Sequence, residues 1–185
     1  MAEPALRKGH VLAFCGSSWR PARPRRLVEA AVQNLRAAHG VDADLFDLVD
    51  AGPGIAAFRR EEMDRPARAL LERIESASAL IIGCPVFQGG YPGLFKHVFD
   101  QIPEGALRDV PVLLTACGGG LRHALIVEHH LRPLFGYFEA MTVPTAVYAC
   151  ATELEGKTLA PSLEQRLDVA VAQFAALLRE RRSAA

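Results

Sequence analysis

The run Ala79-Leu80-Ile81-Ile82-Gly83 is apolar without interruption, with Ser78 before it and Cys84-Pro85 after it. A strand covered on one face alternates apolar and polar residues, whereas an unbroken run of this length belongs to a strand buried on both faces. Pro85 stops the run, because proline has no N–H to give to a ladder. Gly89, Gly90, Pro92 and Gly93 then turn the chain, and Leu94 to Gln101 carries a helical pattern. A two-faced strand that opens through glycines into a helix predicts a parallel sheet with helices on both sides. In such sheets ligands bind beyond the carboxyl ends of the strands.

The same grammar recurs along the chain. Val11 to Cys15 reads as a first strand, followed by the loop Gly16 to Pro21 and a helix whose inward face is Leu27, Ala30, Ala31, Asn34 and Leu35. Gly40 is placed to cap that helix. Val41 to Val49 alternates as a second strand, and Asp50 to Phe58 is turn chemistry. Glu61 to Glu75 is a helix with Ala67, Leu70, Leu71 and Ile74 inward. After the central unit come a strand at Val110 to Ala116, the glycines Gly118-Gly119-Gly120, and a long helix at Leu121 to Tyr137. Val143 to Tyr148 is the last strand and Leu163 to Arg182 the last helix.

Strands and helices alternate with no repeat and no dividing linker, so one domain is expected over 1–185, with 1–9 and 183–185 as flexible ends. Five strands are too few for a two-half dinucleotide fold, and a five-stranded parallel sheet in the order 2-1-3-4-5 is the better fit. Its switch point lies between strands one and three. The loops Gly16 to Arg23, Pro85 to Gly93 and Cys117 to His123 then rim one pocket.

Basic and acidic residues number 21 each, which gives nucleic acid no electrostatic hold and argues against an acidic-faced electron shuttle. No apolar run approaches a membrane span, and the N-terminus lacks the apolar middle of a signal peptide. A cytoplasmic protein with reduced cysteines is expected.

The first loop enters a helix, whose free amides and positive end suit an anion. Ser17 and Ser18 bring hydroxyls, and Arg20, Arg23, Arg25 and Arg26 bring charge. A solvated basic loop is the alternative; position in the fold favours a phosphate. No P-loop lysine and no Gly-x-Gly-x-x-Gly is present, so nucleoside triphosphates and a tight dinucleotide fingerprint are excluded. The second loop offers Pro85, Val86, Phe87, Gln88 and Gly89, and the third Cys117, Gly118, Gly119 and Gly120. Glycines admit a flat ring close to backbone. Phe87 either lies beside that ring or belongs to the core, and Tyr91, between Gly90 and Pro92, is expected to be an exposed contact for ligand or partner subunit. No Gly-x-Ser-x-Gly elbow is present, and His123, His129 and His130 do not share a metal-binding face. A phosphate-plus-ring pocket without an acid–base set or metal suits a flavin, which carries its own chemistry.

Gly16-Ser17, the stretch Pro85-Val86-Phe87 to Tyr91-Pro92-Gly93-Leu94-Phe95-Lys96 with Asp100, and Gly118-Gly119-Gly120 with His123 resemble the NAD(P)H-dependent FMN reductases. The resemblance covers most of the chain and implies a flavodoxin-like three-layer α/β sandwich. The segments Arg122-His123, Val127-Glu128-His129-His130 and Leu131-Arg132-Pro133 are similar to the subgroup that supplies reduced FMN to two-component alkanesulfonate and methanesulfonate monooxygenases. The implied substrates are FMN and NADH or NADPH, the implied partner is a flavin-dependent monooxygenase, and catalysis needs no side-chain acid. An FMN-retaining quinone, azo or metal-oxyanion reductase and a non-catalytic electron carrier are the alternatives.

Two departures from that family stand out. Pro24, Arg25 and Arg26 stand where it places Ser or Thr on the phosphate, and Phe87 stands where Tyr is common. Pro133 falls inside the expected fourth helix, where it must distort the turn at His129 and His130, a one-turn π-bulge being a common form. The related reductases carry an inserted residue in this helix at a tetramer interface, which places His129 at an oligomer contact; a solvated histidine beside a proline kink is the alternative. A homodimer or homotetramer is expected. Cys15, Cys84, Cys117 and Cys150 all fall at strand ends. Small buried thiols are the simplest reading, and a redox-sensitive pair, with Cys15 and Cys84 nearly touching, is the other.

Overall fold

The computed structural model of the chain describes residues 10–156 and 158–183, so the ends expected to be flexible lie outside it except for Ser183. Among the described residues, the strands β1 (Val11–Cys15), β2 (Ala43–Asp47), β3 (Ala79–Pro85), β4 (Pro111–Gly118), β5 (Met141–Thr142) and β6 (Val147–Cys150) form one parallel sheet. Its order is β2-β1-β3-β4-β5, with β6 also on β4. The helices are α1 (Arg23–His39), α2 (Leu48–Ala51), α3 (Arg65–Ser76), α4 (Gly93–Asp100), α5 (Arg132–Tyr137) and α6 (Pro161–Ser183).

Alternation along the central strands divides the core in two. Leu12, Phe14, Leu80, Ile82, Val112 and Leu114 pack on one face with residues of α3, α4 and α5. Val11, Ala13, Ala79, Ile81 and Leu113 pack on the other with residues of α1 and α6. Each fully buried Leu, Ile or Phe contributes about 1.5–3 kcal/mol, so both faces must be covered for the sheet to persist. On the first face, rings run from β1 into the helices: Phe14 stacks on Phe95 at 6.1 Å, Phe95 tilts against Phe99 at 5.0 Å, and Phe99 meets Phe135 edge-on at 5.0 Å. On the second face α1 lies close to the sheet, because Gly83 has no side chain to hold it off. A Cβ there would lie 2.2 Å from Val28 Cγ2.

Local chemistry sets the element ends. Gly40 caps α1 at φ 64°, giving its N–H to the carbonyls of Arg36 and Leu35. The second strand stops at Asp47 rather than Val49, because the Asp47 carboxylate accepts from Val49 N and Asp50 N at 3.0 and 3.3 Å and starts α2. Asp64 caps α3 by accepting from Ala67 N at 3.1 Å.

The expected continuous helix from Leu121 to Tyr137 is broken into a 3₁₀ turn at Leu121–His123, a π-helical turn at Val127–Leu131, and α5. Pro133 has no N–H, and the extra residue in the turn lets the Arg132 N–H reach the Val127 carbonyl five positions back. The expected strand Val143 to Tyr148 is also divided. Pro144 cannot continue a ladder, and the gap between β5 and β6 is satisfied from outside the sheet. Arg132 Nη1 and Nη2 donate to the carbonyls of Val143 and Pro144 at 3.0 and 3.2 Å, and Thr145 N donates to Gln173 Oε1 at 2.9 Å.

The close approach of α1 to β3 gives a stability test. Gly83→Ala is expected to destabilise the protein by about 1–3 kcal/mol through overpacking against Val28, read as a lower urea midpoint with an unchanged m-value.

Candidate functional site: a pocket at the strand ends

The carboxyl ends of β1, β3 and β4 open into three loops, and these enclose a pocket of about 390 Å³. Seven of the expected site residues line it: Arg23, Pro85, Val86, Phe87, Cys117, Gly118 and Gly119. Trp19 and Pro21, from the loop expected to rim the pocket, and Pro24, which stands where the family places a hydroxyl, line it as well. Ser17, Arg20, Arg25, Gln88, Gly89 and Gly120 fall outside the lining.

The floor is narrow because Gly118 carries no side chain. A Cβ on Gly118 would lie 2.5 Å from the Tyr148 hydroxyl and 3.3 Å from Val86 Cβ, so only glycine fits between them. Tyr148 Oη is fixed in turn by donating to the Gly120 carbonyl at 2.5 Å. Gly119 is exposed, has open space on its Cα, and its N–H has no partner among the described residues. Phe87 is presented by a two-residue turn in which Phe87 N and Gly90 O, and Gly90 N and Phe87 O, bond at 2.9 and 3.0 Å. Gln88 and Gly89 both take positive φ, 49° and 84°, as the tip of that turn.

Beside the same pocket, α1 begins without a side-chain cap and without an acidic residue in its first turn. Its first amides and its positive end therefore face the loop. Four arginines surround this point, and they do different things. Arg20 holds both oxygens of Asp47, through Nε at 2.7 Å and Nη2 at 2.8 Å, and also reaches Asp50 at 2.6 Å. Arg25 donates to Asp47 at 2.5 Å and to Glu29 at 2.9 Å. Arg26 is bound to the carbonyls of Leu154 and Thr158. Arg23 has no hydrogen bond or ion pair among the described residues and borders both this pocket and a second one of about 660 Å³ beyond Pro21.

Arg20 and Arg25, two of the residues expected at a phosphate, are both bound to Asp47. That carboxylate is fully buried at the end of β2 and recruits both guanidinium groups. Burial alone would raise its pKa; the hydrogen bonds and charges of Arg20 and Arg25 outweigh burial and hold it below the ordinary carboxylate range. Ser17 is also an internal strut. Its hydroxyl donates to the Trp19 carbonyl at 3.1 Å, and its own carbonyl accepts from Leu48 N at 3.2 Å. Sequence reasoning missed Asp47 because it continued the strand through it, although the spacing Asp47-x-x-Asp50 is that of a helix start.

The residues present suit a flat, phosphorylated flavin such as FMN. Phe87 and the Gly118–Gly119 backbone, which line the pocket, are groups that can take a planar ring, and Arg23 and the start of α1, which line it too, are groups that can take a phosphate.

Tyr91, expected to be exposed, is half-buried against Phe95 at 5.8 Å and meets His130 edge-on at 5.6 Å. Tyr91 and His129 share a separate cavity of about 600 Å³ with Lys96, Pro133 and Tyr137. The four cysteines are buried thiols. Desolvation pushes Cys15 up to about 12 and Cys117 up to about 11, and raises Cys84 well above the usual thiol value. Cys15 stands opposite Gly83, one residue before Cys84, so Cys15 and Cys84 point to opposite faces of the sheet and join different core clusters. The proposed near-contact between them is not made.

The Asp47 cluster makes a pH-dependent prediction. Its folded pKa lies below its unfolded value near 3.8, so its stabilisation is complete above that value and is lost as pH falls through the folded one. Asp47→Asn is expected to cost about 2 kcal/mol at neutral pH and to flatten the fall in stability below about pH 4. Urea unfolding across pH checks both.

Residues 10–154 match the NADPH-dependent FMN reductase family. The chain is 46% identical over 140 residues to "NADH-dependent FMN reductase SfnF" of Pseudomonas fluorescens, covering 75% of each chain. It is 40% identical over 169 residues to "FMN reductase (NADPH)" of Pseudomonas aeruginosa, covering 90% of this chain and 91% of that one. In structure it is similar to an oxidoreductase from Corynebacterium diphtheriae, with a TM-score of 0.81, 26% identity, and coverage of 92% and 97%. The matched span contains all three pocket loops and the Asp47 cluster, and the chain belongs to the NADPH-dependent FMN reductase family.

Proposed function

We propose that the chain is an NAD(P)H-dependent FMN reductase that takes FMN as a substrate and releases it reduced to a flavin-dependent monooxygenase. The observation that carries this reading is the make-up of the 390 Å³ pocket, which brings Phe87 and the Gly118–Gly119 backbone together with Arg23 and the uncapped start of α1. FMN supplies the redox chemistry when bound, taking up the hydride of the nicotinamide. The chain's part is to position the ring and phosphate and to offer dipoles. The Gly119 N–H, without a partner among the described residues, can donate to a ring edge that gains negative charge. Release is favoured by the thin phosphate grip, because Arg20, Arg25 and Arg26 are engaged elsewhere and no Ser or Thr stands at positions 24–26.

NADH or NADPH oxidation should therefore be detected on adding FMN, with intersecting initial-velocity patterns as each substrate is varied. Parallel patterns with retained flavin would point to the FMN-retaining alternative, and no oxidation with either nicotinamide would overturn the reading. Arg23→Gln is expected to raise the KM for FMN about tenfold, as loss of a charged hydrogen bond does, with kcat nearly unchanged.

We also propose that the broken helical segment 121–137, with His129 in its π-helical turn and Tyr91 beside it, forms a contact between copies of the chain. The support is apolar surface left in water on that segment: Leu121, Leu125 and Tyr137 are 71%, 64% and 64% exposed. Leu125→Asp is expected to shift a dimer or tetramer toward monomer in sedimentation velocity while leaving the circular dichroism spectrum unchanged.

A further inference from the structure

Trp19 is the chain's single tryptophan, and its backbone is tied down on both sides. The buried Ser17 hydroxyl donates to its carbonyl, and the next residue, Arg20, is locked onto Asp47 and Asp50. Its side chain is not buried by any of this; the residue is 49% exposed. The indole reaches from the loop after β1 to the loop after β3 and stacks on Phe87, with centroids 5.1 Å apart and planes within 13°. Phe87 is itself 38% exposed and is held by its tight turn. Both rings line the 390 Å³ pocket with Gly118 and Gly119.

Two large rings on fixed backbones are thus left partly in water at the wall of a cavity. A planar ligand entering the pocket can cover aromatic surface that the Trp19–Phe87 stack alone leaves exposed. A docking patch for a protein would present such rings on an open surface; these sit beside backbone that only glycine allows to be so close. The occupant that fits is a small flat ring. The anion end of the same pocket is thinly furnished, with Arg23 as its one guanidinium lacking a partner among the described residues.

We infer that Trp19 is a ring-contact residue for the flavin, and that this protein grips its flavin more by the ring than by the phosphate. The inference rests on the FMN reductase reading above. It has a consequence for ligand choice: riboflavin, which has the same ring and no phosphate, still binds, about tenfold more weakly than FMN, the loss expected for Arg23→Gln.

The test is the dissociation constant of FMN and of riboflavin, from quenching of flavin fluorescence in the absence of nicotinamide, for the wild type, Trp19→Ala, Trp19→Phe and Arg23→Gln. Trp19→Ala is expected to weaken both ligands by the same factor, about tenfold, as loss of an aromatic stacking partner does. Trp19→Phe recovers most of that loss, and Arg23→Gln weakens FMN alone. A loss confined to FMN in Trp19→Ala would overturn the inference, because the residue would then act through the anion loop, and so would unchanged binding of both ligands. Trp19 belongs to neither buried core cluster, and circular dichroism with the melting temperature verifies that each variant is folded. A wild type that binds neither flavin would instead remove the reductase reading itself.

Discussion

A carboxylate without solvent contact stays ionised only if cations reach it, and Asp47 is reached by two. This one group ends β2, starts α2 by accepting from Val49 N and Asp50 N, and fixes Arg20 and Arg25 over the loop that follows β1. The Ser17–Leu48 backbone bond runs alongside and ties the same two chain segments together. The shape of the anion loop therefore depends on an ion cluster formed across the sheet edge. That cluster also sorts the arginines: Arg20 and Arg25 are bound to Asp47, and Arg23 lines the pocket.

The rest of the site follows from where a parallel sheet puts its loops. β1, β3 and β4 are neighbours and point the same way, so their carboxyl ends meet at one place. Gly83 lets α1 lie on the sheet, and Gly118 lets the β4 loop lie against Val86 and Tyr148. The first brings the start of α1 to the pocket, and the second keeps the slot thin. Beside this floor the Trp19–Phe87 stack adds an aromatic wall to the pocket.

Much of this is legible in the residues. The unbroken apolar runs of β3 and β4 give the two-faced sheet, and strand ends followed by glycine give the ring loops with Phe87, Cys117, Gly118 and Gly119. Pro133 foretells the distortion realised as the π-helical turn at Val127–Leu131. What is not legible depends on contacts distant in sequence. Asp47 reads locally as a polar position on an alternating strand, while its cations lie 27 and 22 residues earlier. Four nearby arginines look alike in sequence, and only the folded chain sorts them. Cys15 and Cys84 look adjacent until the register sets Cys15 against Gly83, and one residue of offset sends Cys84 to the other face. Trp19 carries no motif, and its role emerges only from its stack on a ring in another loop.

The most direct measurement of this account is a crystal structure of the protein with FMN. The phosphate is expected within hydrogen-bond distance of the Arg23 guanidinium and the first amides of α1, the ring between Phe87 and the Gly118–Gly119 backbone, and Asp47 still holding Arg20 and Arg25. A phosphate held by Arg20 or Arg25, with either one released from Asp47, would contradict it.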